Sequence, residues 1–101
     1  MTFSNMAVEF YSLNDKSQKD LIFQLTDSDF EKLEVVLEEY KKRTGLTIDQ
    51  YATTRIHEDH VKLIIELIEK DLASNHKPDL QLNQIKEIFK ANIRHLIAVG
   101  D

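Results

Sequence analysis

Met6, Val8 and Phe10 fall at every second position, and so do Leu21, Phe23 and Leu25, with a polar stretch from Asn14 to Lys19 between the two sets. A period of two is that of a half-buried strand, so the first quarter of the chain predicts a β-hairpin. The second strand runs directly into a helix-start signal. Thr26 can cap, Asp29 stands at the third helical position, and Leu25 with Phe30 has the spacing of a hydrophobic staple. The period then changes: Phe30, Leu33, Leu37 and Tyr40 recur at three and four residues. Lys41, Lys42 and Arg43 followed by Gly45 form a basic last turn with a left-handed stop. One helix from about Asp27 to near Arg43 is expected.

The segment from Thr44 to Ile56 is rich in β-branched and aromatic residues, with Asp49-Gln50 as a turn, and predicts a third short strand over Tyr51 to Ile56. Because a helix intervenes, a crossover placing this strand parallel to one of the hairpin strands is expected. A second helix should run from Glu58 to Ala73. Val61, Ile64, Ile65, Ile68 and Leu72 form its stripe, and Leu63 and Leu67 widen the apolar arc to roughly 200°. A helix so broadly apolar has to be covered on two sides, which makes it the central element. Ser74 to Asp79, with the only proline, reads as a loop. A last helix from Asn83 to Val99 would present Ile85, Ile88, Phe89, Ile93 and Leu96 inward, with Asn92 in the middle of that stripe and in need of a partner. The expected fold is therefore a single α+β domain: an N-terminal β-hairpin plus a short third strand, packed against three helices in the order β-β-α-β-α-α.

Composition sets limits on this picture. At 101 residues, 42% hydrophobic and 31% charged, the chain should fold by itself and bury roughly two-thirds of the surface its unfolded form exposes. It has no cysteine, which removes disulfides, thiolate metal sites and cysteine nucleophiles. The stretch from Met1 to Phe10 lacks the basic residue and apolar run of an export signal, and no later run is long enough to span a bilayer, so a cytoplasmic protein without membrane contact is expected. A pI near 5.3 argues against nucleic acid as a partner, since that affinity depends on clustered Lys and Arg.

No catalytic or cofactor constellation emerges. His57-Glu58-Asp59-His60 is the one dense run of ligand-type side chains, but it has one residue too few between Glu and the second His for the zinc-protease motif, and no third ligand is apparent. Glu58 and Asp59 suit a helix first turn, His60 would lie in the apolar arc beside Leu67, and His76 and His95 would be bystanders. The serines lie in ends, turns or a cap context, and two glycines cannot make a phosphate-binding loop. The carboxylates on the first helix lie on a solvated face, without the burial that moves one of a pair towards neutrality. Neither an enzyme nor a resident metal or cofactor is expected.

Charge supplies the one concentrated feature. Between Asp27 and Glu39 there are six carboxylates (Asp27, Asp29, Glu31, Glu34, Glu38 and Glu39) against a single base, Lys32. Opposite the apolar stripe, the helix wheel places Val35 inside a mostly acidic ring with Glu31, Glu38 and Glu39. Acids first and bases last also complement a helix dipole, which alone accounts for part of this distribution.

Thr44-Gly45, Ile48-Asp49, Tyr51 and Thr54-Arg55-Ile56, followed by an apolar helix, resemble a pattern in small bacterial proteins, some of them immunity proteins of polymorphic or contact-dependent toxin systems. Ala52 stands where a glycine after the tyrosine would be typical. The resemblance implies a cytoplasmic antidote that binds a toxin domain and blocks its active site or its access to substrate. An acidic inhibitor of a basic, nuclease-like toxin domain fits the charge, because opposite potentials speed encounter and carboxylates can occupy phosphate positions. The expected partner-binding residues are Glu31, Glu34, Val35, Glu38, Glu39, Asp49 and Tyr51. The alternative is a non-catalytic homodimer, structural or regulatory, in which a second copy closes the arc of Leu63 and Leu67 or the stripe around Asn92.

Overall fold

Alternation in Val8–Ser12 (β1) and Phe23–Leu25 (β2) buries Val8, Phe10 and Leu25 on one sheet face, and the two strands pair antiparallel with Phe10 opposite Phe23. The structure is a computed structural model and describes residues 8–15, 17–49, 51–74 and 79–100. Met6 and Gln50, used in the sequence expectations, and residues 75–78 of the expected loop lie outside the described residues. Leu21 is left exposed because β2 begins only at Phe23.

Thr26 then starts a helix with a complete capping box. Its hydroxyl accepts from the Asp29 N–H at 3.3 Å, and its own N–H donates to the Asp29 carboxylate at 2.9 Å. The expected single helix is two: Asp27–Lys32 (α1) and Glu34–Thr44 (α2), hinged at the buried Leu33, whose backbone sits at φ −90°, ψ 0°. The break lets α1 lean onto the next-to-last element of the chain. Lys32 pairs with Asp79 at 3.1 Å, and the Gln81 amide donates to Ser28 Oγ at 3.0 Å and to Asp29 Oδ1 at 2.8 Å. Helix α2 ends as expected on Gly45, which takes the left-handed conformation at φ 76° and donates its N–H to the Lys41 carbonyl.

Thr53–Ile56 (β3) starts two residues later than expected, leaving Tyr51 in the preceding turn. Glu58–Ser74 (α3) is the broadly apolar helix, with Val61, Ile64, Ile65, Leu67 and Ile68 buried. It lies between α2 and Leu80–Lys90 (α4), so helices flank it on two sides. Leu67 is buried and Leu63 is partly buried against the core.

The main departure lies at the C-terminus. The last helix stops at Lys90, and Leu96–Val99 forms a fourth strand (β4) instead of helical turns. Asn92, expected mid-stripe, ends the helix: its N–H donates to the Phe89 carbonyl at 3.0 Å and its side-chain amide to the Ile88 carbonyl at 2.8 Å. Ile93 is consequently exposed, while Leu96 and Ala98 are buried by sheet pairing. All four strands are antiparallel in the order β2-β1-β4-β3. β3 therefore runs in the direction of β1 but does not pair with it, because β4 fills the place between them; the crossover beside the hairpin does not occur. Phe10 stacks on Phe23 at 4.4 Å between ring centres, and Phe89 meets both edge-on at 5.9 and 5.4 Å, which fastens α4 to the sheet. The fold is α+β, with four strands and four helices in the order β-β-α-α-β-α-α-β.

Candidate functional site: an acid-rimmed groove

The capping box and the Leu33 hinge aim one side of α1 and α2 at the segment from Thr47 to Tyr51, and a groove of about 540 Å³ opens between them. Its apolar base is Phe30 and Leu37, both half-buried, with the buried Ile48. The helical wall carries Asp27, Glu31, Glu34, Glu38 and, at the end of the row, Lys41. The opposite wall carries Thr47, Asp49 and Tyr51, whose side chain stands 63% exposed.

Hydrogen bonds hold the opposite wall. Asp49 Oδ1 accepts the Tyr51 N–H at 2.8 Å, closing an Asx turn. Thr54 Oγ1 donates to the Thr47 carbonyl at 3.2 Å, and the Gly100 N–H donates to the Ala52 carbonyl at 3.0 Å. Those two bonds dock the segment on β3 and on the end of β4, so the groove depends on the sheet being complete.

Five of the seven residues expected from the sequence meet here: Glu31, Glu34, Glu38, Asp49 and Tyr51. Glu31, Glu34 and Glu38 have no hydrogen bond or ion pair among the described residues. Val35 and Glu39 lie elsewhere. Val35 is 60% exposed, and together they line a shallow cleft between α2 and α3 with Leu67, Lys70 and Asp71. Glu39 accepts from Arg43 Nε at 3.1 Å, and that bond holds its carboxyl below the usual range. The acidic ring inferred from the helix wheel thus divides. The row at positions 27, 31, 34 and 38 faces the groove, and the pair at 35 and 39 is turned about a quarter of the circumference away.

The sequence marks Phe30 and Leu37 as apolar stripe positions and Ile48 as part of the segment before β3, and it puts Asp27 in the acidic run without assigning it a face. The 4-3-4 spacing from Asp27 to Glu38 was the available signal for the row; nothing local marked Ile48 as its apolar base.

The histidines gather more than expected. His95 is not a bystander: its Nδ1 accepts the N–H of Glu58, in the first turn of α3, at 3.1 Å, and its ring lies 5.4 Å from that of His57. His60 is half-buried with Nδ1 3.1 Å from the Tyr40 hydroxyl. Among the described residues, no group of three or more His, Asp or Glu side chains is arranged to hold a metal ion, and no helix is long and apolar enough to cross a membrane. No family model matches the chain, and no curated protein or solved structure matches it.

Proposed function

We propose that this chain is a protein-binding inhibitor, an immunity protein that acts in the cytoplasm by occupying the basic face of a nuclease-like toxin domain, and that recognition rather than catalysis is its purpose. The supporting observation is the groove: Glu31, Glu34 and Glu38 stand together without partners among the described residues, beside an apolar base and the exposed ring of Tyr51. Like charges at helical spacings of three and four oppose helix stability. Apart from Glu34, which complements the dipole in the first turn of α2, the row lacks compensating charge, which Lys and Arg from outside would supply. A phosphate-binding toxin surface supplies that charge, and the negative field speeds its encounter with the inhibitor. The exposed tyrosine adds the amphipathic, low-entropy contact that interface centres favour.

Co-expression with the product of the neighbouring reading frame, as the toxin this reading requires, tests it. The wild-type chain should restore growth and co-purify with the toxin, and the variant carrying Glu31→Lys, Glu34→Lys and Glu38→Lys should do neither while retaining its circular dichroism spectrum. Undiminished rescue by that variant, with an unchanged salt dependence of binding, would overturn it.

A further inference from the structure

Glu34 and Glu38 line the groove from α2 with Leu37 beside them, about 6 Å apart along the helix axis, a separation at which two carboxylates can close on one cation. Both belong to one unbroken helix, so their spacing does not depend on the Leu33 hinge, and neither has an ion pair or hydrogen bond among the described residues. Lys41 follows them in the groove and repels a cation, which confines the favourable position to the Glu34–Glu38 turn. The opposite wall presents the exposed ring of Tyr51, its backbone held by the Asp49 turn, and the base is apolar. Paired carboxylates, an aromatic ring and an apolar base together restrict which side chain can fill the site. A guanidinium is flat, with every N–H donor in its plane, so it can give its edge to Glu34 and Glu38 and its face to Tyr51 while its methylene stem lies along Leu37 and Ile48. An ammonium has no face to stack and holds its water more strongly.

We infer that the groove takes an arginine side chain of the partner protein as its anchor and selects it over lysine. The inference rests on the binding reading above and adds the identity of the side chain that seats between α2 and Tyr51. Charge complementarity calls for a base, the apolar floor for a long methylene stem, and the exposed ring for a planar cation. An arginine buried in such a setting is the kind of residue on which interface energy concentrates.

The probes are N-acetyl-arginine amide and N-acetyl-lysine amide, which carry the same charge and differ in the shape of the cation. Each is titrated into the isotope-labelled full chain and followed by amide chemical shifts; a ligand of this size binds in the millimolar range. The arginine probe should give saturable shifts at Glu34, Glu38, Ile48 and Tyr51 and bind about threefold or more tightly than the lysine probe. Glu34→Gln with Glu38→Gln should abolish saturation by both. Tyr51→Ala should bring arginine down to the lysine affinity, whereas Tyr51→Phe, which keeps the ring, should preserve the preference. Glu66→Gln on α3 should change nothing, and undisturbed spectra of the free variants show that each is folded. Equal affinity for the two probes, a preference that survives Tyr51→Ala, shifts confined to another surface, or no saturation by arginine overturns the inference. If the probes fail in one of these ways while the whole toxin domain still binds in a manner sensitive to Glu31, Glu34 and Glu38, the arginine anchor is wrong and the inhibitor reading stands. If arginine is preferred and no toxin is neutralised, the selectivity of the groove stands and the inhibitor reading falls.

Discussion

The Tyr40 hydroxyl lies 3.1 Å from Nδ1 of His60, joining α2 to α3 by a side-chain hydrogen bond across the core. Tyr40 is fully buried, and burial pushes its phenol above the ordinary value. Burial of the ring fixes the rotation of α2 about its own axis, and the bond ties the ring's polar end to α3. With Tyr40 held inward, Glu34 and Glu38 are turned to the groove and Val35 and Glu39 to the α2–α3 cleft. Tyr40→Phe keeps the ring and removes the bond, so urea unfolding should show a loss of about 0.5–1.5 kcal/mol, with the groove preserved.

Phe89 carries the contact between α4 and the sheet through its edge-on meeting with Phe10 and Phe23. Phe89→Ala should destabilise the protein by about 3–5 kcal/mol, measured by chemical denaturation, because the two stacked rings cannot collapse into the space without disturbing the β1–β2 pairing.

Gly45 has open space where a Cβ would stand, with nothing within 4 Å, yet its φ is +76°. The loss in Gly45→Ala is therefore conformational and not steric crowding, about 1–2 kcal/mol. Gly45→Asn should lose less, because Asn tolerates the left-handed region. Equal losses for the two variants in thermal melts would contradict this.

Asp79 caps α4. The Leu82 N–H donates to it at 3.0 Å and Lys32 pairs with it at 3.1 Å, and these hold its carboxyl below the ordinary range. A lowered carboxylate contributes stability that is complete above its unfolded value and is lost as pH falls through its folded one. Asp79→Asn preserves a capping oxygen but removes the charge, so the decline in Tm below about pH 4 should be shallower than in wild type.

Added salt should raise Tm by screening the row of Glu31, Glu34 and Glu38. Glu38→Gln relieves its repulsion with Glu34 while leaving the acid in the first turn of α2, so it should reduce that salt response, as read by calorimetry at two ionic strengths.

Local signals were legible where the chain's own neighbours decide conformation. The Thr26–Asp29 capping box, the Gly45 stop, the alternation of Val8 and Phe10 and the broad arc of α3 all depend on contacts within a few residues. Leu96–Val99 is a different case. Four apolar residues after a helical stripe continue that stripe as well as they make a strand, and they are a strand because β1 and β3 offer hydrogen-bonding edges on both sides. The capping of α3 by His95 likewise joins positions far apart in sequence.

The sequence by itself determined the β1–β2 hairpin, the capped start of α1, the apolar arc of α3 and the acidic row, since periodicity and charge are properties of adjacent positions. Only the tertiary structure decided that the helix breaks at Leu33, that Val35 and Glu39 turn away from Glu34 and Glu38, and that Ile48 and Tyr51 close a groove against α1 and α2. Those outcomes arise from long-range packing, from Lys32 and Gln81 drawing α1 to α4 and from the sheet docking Thr47 and Ala52, whose energies no local window contains.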